Sequence, residues 1–167
     1  GGRIDLGPDG DVVVDDDLSS VAGGELTAWR MRVGTDTSAG QLIQSGGTVT
    51  VGDIGLSVGA FHDGDEGTYV LQGGSLTTTE TWVGLTGVGV FRQDGGTHAP
   101  EALRIGTGRD GQGTYEMSGG TLDSELYVGW SHGARFEQSG GTVRGSLNVW
   151  NTQDGTSAAL YELSGIG

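Results

Sequence analysis

A Gly-Gly pair, or a degenerate form of it, returns at Gly1, Gly23, Gly46, Gly73, Gly95, Gly119, Gly140 and Gly165, at intervals of 22, 23, 27, 22, 24, 21 and 25 residues. Self-similarity at a period of about 20 to 50 residues marks solenoids, propellers and repeat arrays, and it restricts the fold before any motif is weighed. The same landmarks accompany each pair. An apolar residue stands four positions before it (Leu42, Tyr69, Phe91, Tyr115, Phe136, Tyr161). An alternating step ending in Val or Ile follows later: Met31/Val33, Leu56/Val58, Thr81/Val83, Leu103/Ile105, Leu126/Val128 and Leu147/Val149. Alternation with period two is the mark of strands, and no segment keeps a helical period over helical length. The chain is expected to be all-β.

The length of the period selects among all-β repeats. A propeller blade needs four strands and about 40 residues, more than these intervals supply. Left-handed hexapeptide helices demand a rigid multiple of six, whereas these intervals vary. A right-handed parallel β-helix with elastic loops is therefore expected, with about seven coils of 21–27 residues forming one β-solenoid domain over 1–167.

A second period lies inside the first. Two positions before each Gly pair the residue alternates as Gln44, Leu71, Gln93, Met117, Gln138 and Leu163, and Tyr accompanies Leu or Met whereas Phe or Leu accompanies Gln. The unit is a pair of coils. An inward Gln needs hydrogen-bond partners, and the Tyr hydroxyl of an adjacent coil is the expected one. The loops alternate in length as well, the long ones each holding Asp-Gly ("GAFHDGDEGT", "GTGRDGQGT", "WNTQDGTSAAL"), so every second coil is expected to bulge on one edge.

After each pair comes a small or polar outward position (Glu25, Thr48, Ser75, Thr97, Thr121, Thr142), then an inward apolar one (Leu26, Val49, Leu76, His98, Leu122, Val143). His98 is the exception in that row. Pro100 beside it suggests a local break in strand pairing.

Composition narrows the function classes. With 8 Lys+Arg against 22 Asp+Glu, the net charge of −14 repels phosphate backbones and anionic membranes, so neither nucleic acid nor membrane insertion is expected. The absence of Cys removes disulfides and thiolate chemistry. The 36 Gly lack a collagen period and are interleaved with Val, Leu and aromatics, so the chain is read as ordered.

Few motifs carry chemistry. "GTGRDG", from Gly106 to Gly111, matches a dinucleotide fingerprint in letters only, because a strand-like "QGTYEM" follows where a helix must open. "HDGDEG" sets Asp63, Asp65 and Glu66 around Gly64 as a candidate Ca²⁺ turn, without completing an EF-hand loop, and a second acidic group lies at Asp9, Asp11 and Asp15 to Asp17. A solvated Asp-Gly turn is the alternative reading. No cofactor is otherwise expected. His62, His98 and His132 share no metal-ligand spacing, and nothing marks a nucleophile beside a base, so no enzyme is expected.

An outward row reads Arg32, Ser57, Trp82, Arg104, Tyr127 and Asn148, with Trp130 and Trp150 close behind. Aromatic and guanidinium groups about 4.8 Å apart form either a stabilising ladder or a surface that stacks on sugar rings. A Thr-x-Thr array of the ice-binding kind starts at Thr48/Thr50 and Ser75/Thr77 but is broken by Ala99, Asp123 and Arg144.

The units "GTYEMSGGTLDSELYVG" and "ARFEQSGGTVRGSLNVW" resemble the glycine-rich repeats of large exported bacterial proteins, autotransporter-like and PEP-CTERM-associated β-helix regions, from about Gly23 onward. The resemblance implies an extracellular or cell-surface location in a bacterium and a structural or adhesive role, and it carries no catalytic residue. Acidity and Thr/Ser/Gly richness agree with export. The chain opens on "GG" and closes in "ELSGIG", inside the repeat, so it is expected to be part of a longer array or a subunit that self-associates end to end or side by side. The expected function is a non-enzymatic fibre or matrix rod. A carbohydrate-binding adhesin is the first alternative and a β-helix polysaccharide lyase or hydrolase the second.

Overall fold

The computed structural model describes residues 2–7, 9–15, 18–35, 38–59, 62, 64–108, 110–129, 133–150 and 159–164. In chain order the strands are β1 (Arg3–Asp5), β2 (Asp11–Val14), β3 (Leu18–Val21), β4 (Glu25–Val33), β5 (Ala39–Gln44), β6 (Thr48–Val58), β7 (Glu66–Leu71), β8 (Ser75–Val83) and β9 (Val88–Gln93). They continue as β10 (Thr97–Ile105), β11 (Gln112–Met117), β12 (Thr121–Asp123), β13 (Glu125–Gly129), β14 (Ala134–Gln138), β15 (Thr142–Arg144), β16 (Leu147–Trp150) and β17 (Leu160–Leu163). No helix occurs among the described residues.

The strands stack into two sheets, and every pairing is parallel. The first sheet runs β1-β4-β6-β8-β10-β12-β15, with β2 also on β4 and β13 linking β10 to β16; the second runs β3-β5-β7-β9-β11-β14-β17. One coil is thus a short strand of the second sheet, a Gly-Gly corner, a long strand of the first sheet and a return loop. The fold is a β-solenoid of about six turns. The repeat count is higher because the outermost strands belong to incomplete coils.

The corners need glycine on two grounds. Gly120, the second of its pair, has φ +80°, and a Cβ there would lie 2.4 Å from the carbonyl oxygen of Gly96 in the previous coil. A Cβ on Gly119 would lie 2.4 Å from the carbonyl oxygen of Asp94. The left-handed backbone and the stacking of corner on corner both exclude side chains. The pair turns the chain. "GTGRDG" likewise spans the return loop between β10 and β11, with no helix after it.

Alternation fills the interior. The inward residues of both sheets form one core of Val, Leu, Ile, Met and aromatic side chains. Through it runs a ring column, Tyr69–Phe91–Tyr115–Phe136–Tyr161, with successive centroids 4.9, 4.7, 5.1 and 4.9 Å apart. That spacing is the inter-strand distance, so the sheet dictates it, and it falls in the range where aromatic pairs attract.

The expected Gln/Tyr pairs are present. The Tyr69 hydroxyl donates to Gln44 Oε1 (2.6 Å), Tyr115 to Gln93 (2.7 Å) and Tyr161 to Gln138 (2.9 Å). Each Gln Nε2 in turn donates to the corner carbonyl three residues on: Gly47, Gly96 and Gly141. Gln44 and Gln93 also reach the next coil, at Ser75 O (3.0 Å) and Thr121 O (2.9 Å). These two buried amides therefore use both donors and the acceptor.

Pro100 interrupts pairing on one side only. Toward β8 the register holds through Pro100↔Thr78 to Ile105↔Val83. On the other side, pairing stops at His98↔Leu122 and resumes at Ala102↔Glu125, where the long strand divides into β12 and β13. The offset between partners falls from 24 residues (Thr97↔Thr121) to 23 (Ala102↔Glu125), so the stretch opposite Pro100 is one residue shorter.

Removal of a fully enclosed rung should cost more than removal of a solvated one. Gln93→Leu removes the acceptor of the buried Tyr115 hydroxyl proton and the amide donor to the carbonyls of Gly96 and Thr121, and it is expected to destabilise by about 2 to 3 kcal/mol. Gln138→Leu, at a partly exposed position, is expected to cost less than half of that. Urea midpoints of the two variants check the ordering.

Candidate functional site

The lateral row predicted from sequence is a single register line. Arg32 pairs with Ser57, Ser57 with Trp82, Trp82 with Arg104, Arg104 with Tyr127, and Tyr127 with Asn148, across six strands of the first sheet. The next outward line reads Asp11, Arg30, Gly55, Glu80, Ala102 and Glu125.

These two lines neutralise each other. The Arg104 guanidinium lies 4.8 Å over the Tyr127 ring and bonds Glu80 at 3.3 Å, and the Tyr127 hydroxyl donates to Glu125 Oε2 at 3.0 Å. That hydrogen bond raises the Tyr127 pKa. Arg30 forms a close ion pair with Asp11, whose carboxylate also lies 3.6 Å from Arg32. The hydrogen bond from Arg30 outweighs burial and holds Asp11 below the usual carboxylate range. Trp150, 44% exposed, meets Tyr127 edge to face at 6.1 Å. Trp130 lies outside the described residues. Ion pairs, a cation–π contact and a ring contact thus link neighbouring rungs of the row.

The acidic turn divides its carboxylates. Asp65 is fully buried and accepts the backbone N–H of His62 at 2.9 Å, closing the turn, whereas Glu66 is exposed on β7. Asp63 lies outside the described residues. Asp65 thus serves the turn backbone. Among the described residues no group of three metal-ligating side chains converges.

A shallow groove of about 320 Å³ runs over the second sheet beside the corners, lined by Arg92, Asp94, Glu116, Glu137, Ser118 and Ser139 among others. Its carboxylates stack in register, Glu116 on Glu137 on Glu162. Arg92 pairs with Glu116 at 3.2 Å, and Arg135 serves both Glu137 and Glu162.

The sequence flagged His98 only as an exception to an apolar row. The structure gives it a place in a buried chain. Tyr115 donates its proton to Gln93 Oε1, so at His98 Nδ1 (3.0 Å) its hydroxyl accepts. His98 is therefore the Nδ1–H tautomer, and its Nε2 accepts from the Thr81 hydroxyl at 3.1 Å, which in turn accepts from Thr78 at 2.8 Å. The ring stacks on Phe91 at 4.6 Å. Proton donation runs one way, from Thr78 through Thr81, His98, Tyr115 and Gln93 to the carbonyl of Thr121. The chain crosses coils and offers no substrate access. Its side chains are all buried, and it fixes their orientation.

Neither protein-family models nor curated proteins match this sequence, and no solved structure matches the fold.

Burial of His98 pushes its pKa down to about 3, from 6.5. Between those values the unfolded chain binds a proton that the folded chain refuses, so stability rises with pH and is lost as pH falls below 6.5. The loss is about 1.4 kcal/mol per pH unit, or about 3 kcal/mol by pH 4. Asp11, with its lowered pKa, adds its own loss only at and below its ordinary value of 3.8. His98→Leu, which restores the apolar row, is expected to flatten the slope from pH 6.5 to 4 in denaturant midpoints, while the wild type keeps it.

Proposed function

We propose that this protein is a non-enzymatic structural rod of the bacterial cell exterior, forming or belonging to a fibre or surface matrix by end-to-end stacking. The observation that supports this reading is the finish of the two ends. At one end β1, β2 and β3 leave an edge unpaired among the described residues, and at the other β15, β16 and β17 do. Both ends also expose side chains that are inward elsewhere or flank the core: Ile4 and Leu6 at one, Val149 (45%) and Leu163 (51%) at the other.

Such edges accept another parallel coil, of the same chain or of a second copy, since unpaired backbone groups and apolar surface are then covered together. Because the two ends differ, the contact is heterologous and propagates. The rest of the molecule agrees with a load-bearing role. Corners, ring column and Gln/Tyr rungs all serve coil-on-coil stacking. The resemblance to glycine-rich repeats of exported proteins supports the extracellular setting.

The experiment is electron microscopy of native material, joined to one end-specific variant. Filaments or continuous rods are expected from the native protein. Leu163→Asp sets a charge on an exposed end position, so it is expected to cost the isolated rod under about 1 kcal/mol while shortening or abolishing filaments. Short monodisperse particles from native material, or filaments unchanged by Leu163→Asp, count against end-to-end stacking.

A further inference from the structure

The lateral ladder has one member whose surroundings it does not explain. Arg32, Arg104, Tyr127 and Trp150 each have an ionic, cation–π or ring partner. Among the described residues, Trp82 has none, neither a ring, a guanidinium nor a hydrogen bond to its indole. Another tryptophan of this sheet, Trp29, donates its indole N–H to Asp53 at 3.4 Å.

Trp82 is partly exposed on β8 and follows Ser57 in the register line. Ser57 is only 2% exposed although it points outward, because Arg32 and Trp82 close over it. The strip from Arg32 across Trp82 to Arg104 is therefore continuous, with the indole at its centre and a guanidinium toward each end. A large aromatic face with an unused N–H, held beside polar groups of fixed position, is the chemistry that recognises a sugar ring. The ring's C–H face stacks on the indole, while its equatorial hydroxyls bond the flanking donors and acceptors.

Two further observations define the class of sugar. Rungs repeat about every 4.8 Å along the coil axis, close to the length of one pyranose unit, so a linear chain lying along the axis meets Arg32, Trp82 and Arg104 in sequence. The strip also has no net charge to offer a polyanion. Across it and the line beside it, Arg30, Arg32 and Arg104 stand against Asp11, Glu80 and Glu125, and the whole molecule carries −14.

We infer that the Arg32–Trp82–Arg104 strip binds a neutral linear polysaccharide along the axis of the solenoid, stacking a sugar ring on Trp82. The surface lies on the side of the rod and not at its ends, so it operates whether or not rods stack, and its failure leaves the rod reading untouched.

The test is native affinity electrophoresis of the whole protein through gels containing hydroxyethylcellulose or galactomannan, with polygalacturonate as the charged comparison. Retardation is expected in at least one neutral gel. Trp82→Leu, which keeps apolar bulk over Ser57 but removes the ring, is expected to weaken apparent affinity about tenfold or more, and Trp82→Ala to do the same. Trp29→Ala is expected to leave it unchanged. Circular dichroism establishes that each variant keeps its β-structure, and Trp82→Leu decides the matter if Trp82→Ala does not fold. Absence of retardation in both neutral gels, retardation by polygalacturonate alone, or equal retardation of wild type and Trp82→Leu overturns the inference.

Discussion

Parallel pairing at one fixed spacing governs this molecule. Once successive coils pair strand on strand with a rise of about 4.8 Å, every position in the repeat becomes a row along the axis, and each residue is judged by what sits directly above and below it. Rings stack because their rows coincide. Corners must be glycine because the carbonyl of one corner sits where the next corner's Cβ would go. Like charges in one row would repel, and Arg92 and Arg135 are positioned to relieve Glu116, Glu137 and Glu162.

Burial of polar groups under that constraint has a particular solution. Alternation with Tyr gives each Gln oxygen a hydroxyl and each Gln nitrogen a carbonyl. His98 extends this scheme where the row would otherwise be apolar, and it does so neutral and in one tautomer. The same enclosure that makes these bonds strong makes protonation of His98 costly.

Much of this was legible in the sequence because each element leaves a periodic trace. The Gly pairs gave the coil, the period-two steps gave inward and outward faces, and the alternation of Gln44, Gln93 and Gln138 with Tyr69, Tyr115 and Tyr161 gave the rungs. The lateral row from Arg32 to Asn148 was likewise legible, since parallel register follows from aligned repeats. What escaped were features that depend on contacts between unlike positions. His98 reaches Thr81 and Tyr115 in neighbouring coils, positions with no shared period. The inward turn of Asp65 depends on the local loop, and the isolation of Trp82 depends on the partners its neighbours chose. The one-sided effect of Pro100 needed both adjacent strands to be seen.

The Gln/Tyr rungs have a bearing on how such a protein changes length over evolution. Each Tyr hydroxyl donates to the Gln of the coil before it, always in the same direction, so neighbouring coils are unlike partners and cannot be exchanged. Insertion of a single coil would bring two Gln coils, or two Tyr coils, into contact and leave a Gln carbonyl or a Tyr hydroxyl without its rung partner. Duplication or loss of two coils keeps every bond. Growth and shortening of this rod are thus quantised in steps of two coils, and the quantum is set by an amide that needs a hydroxyl.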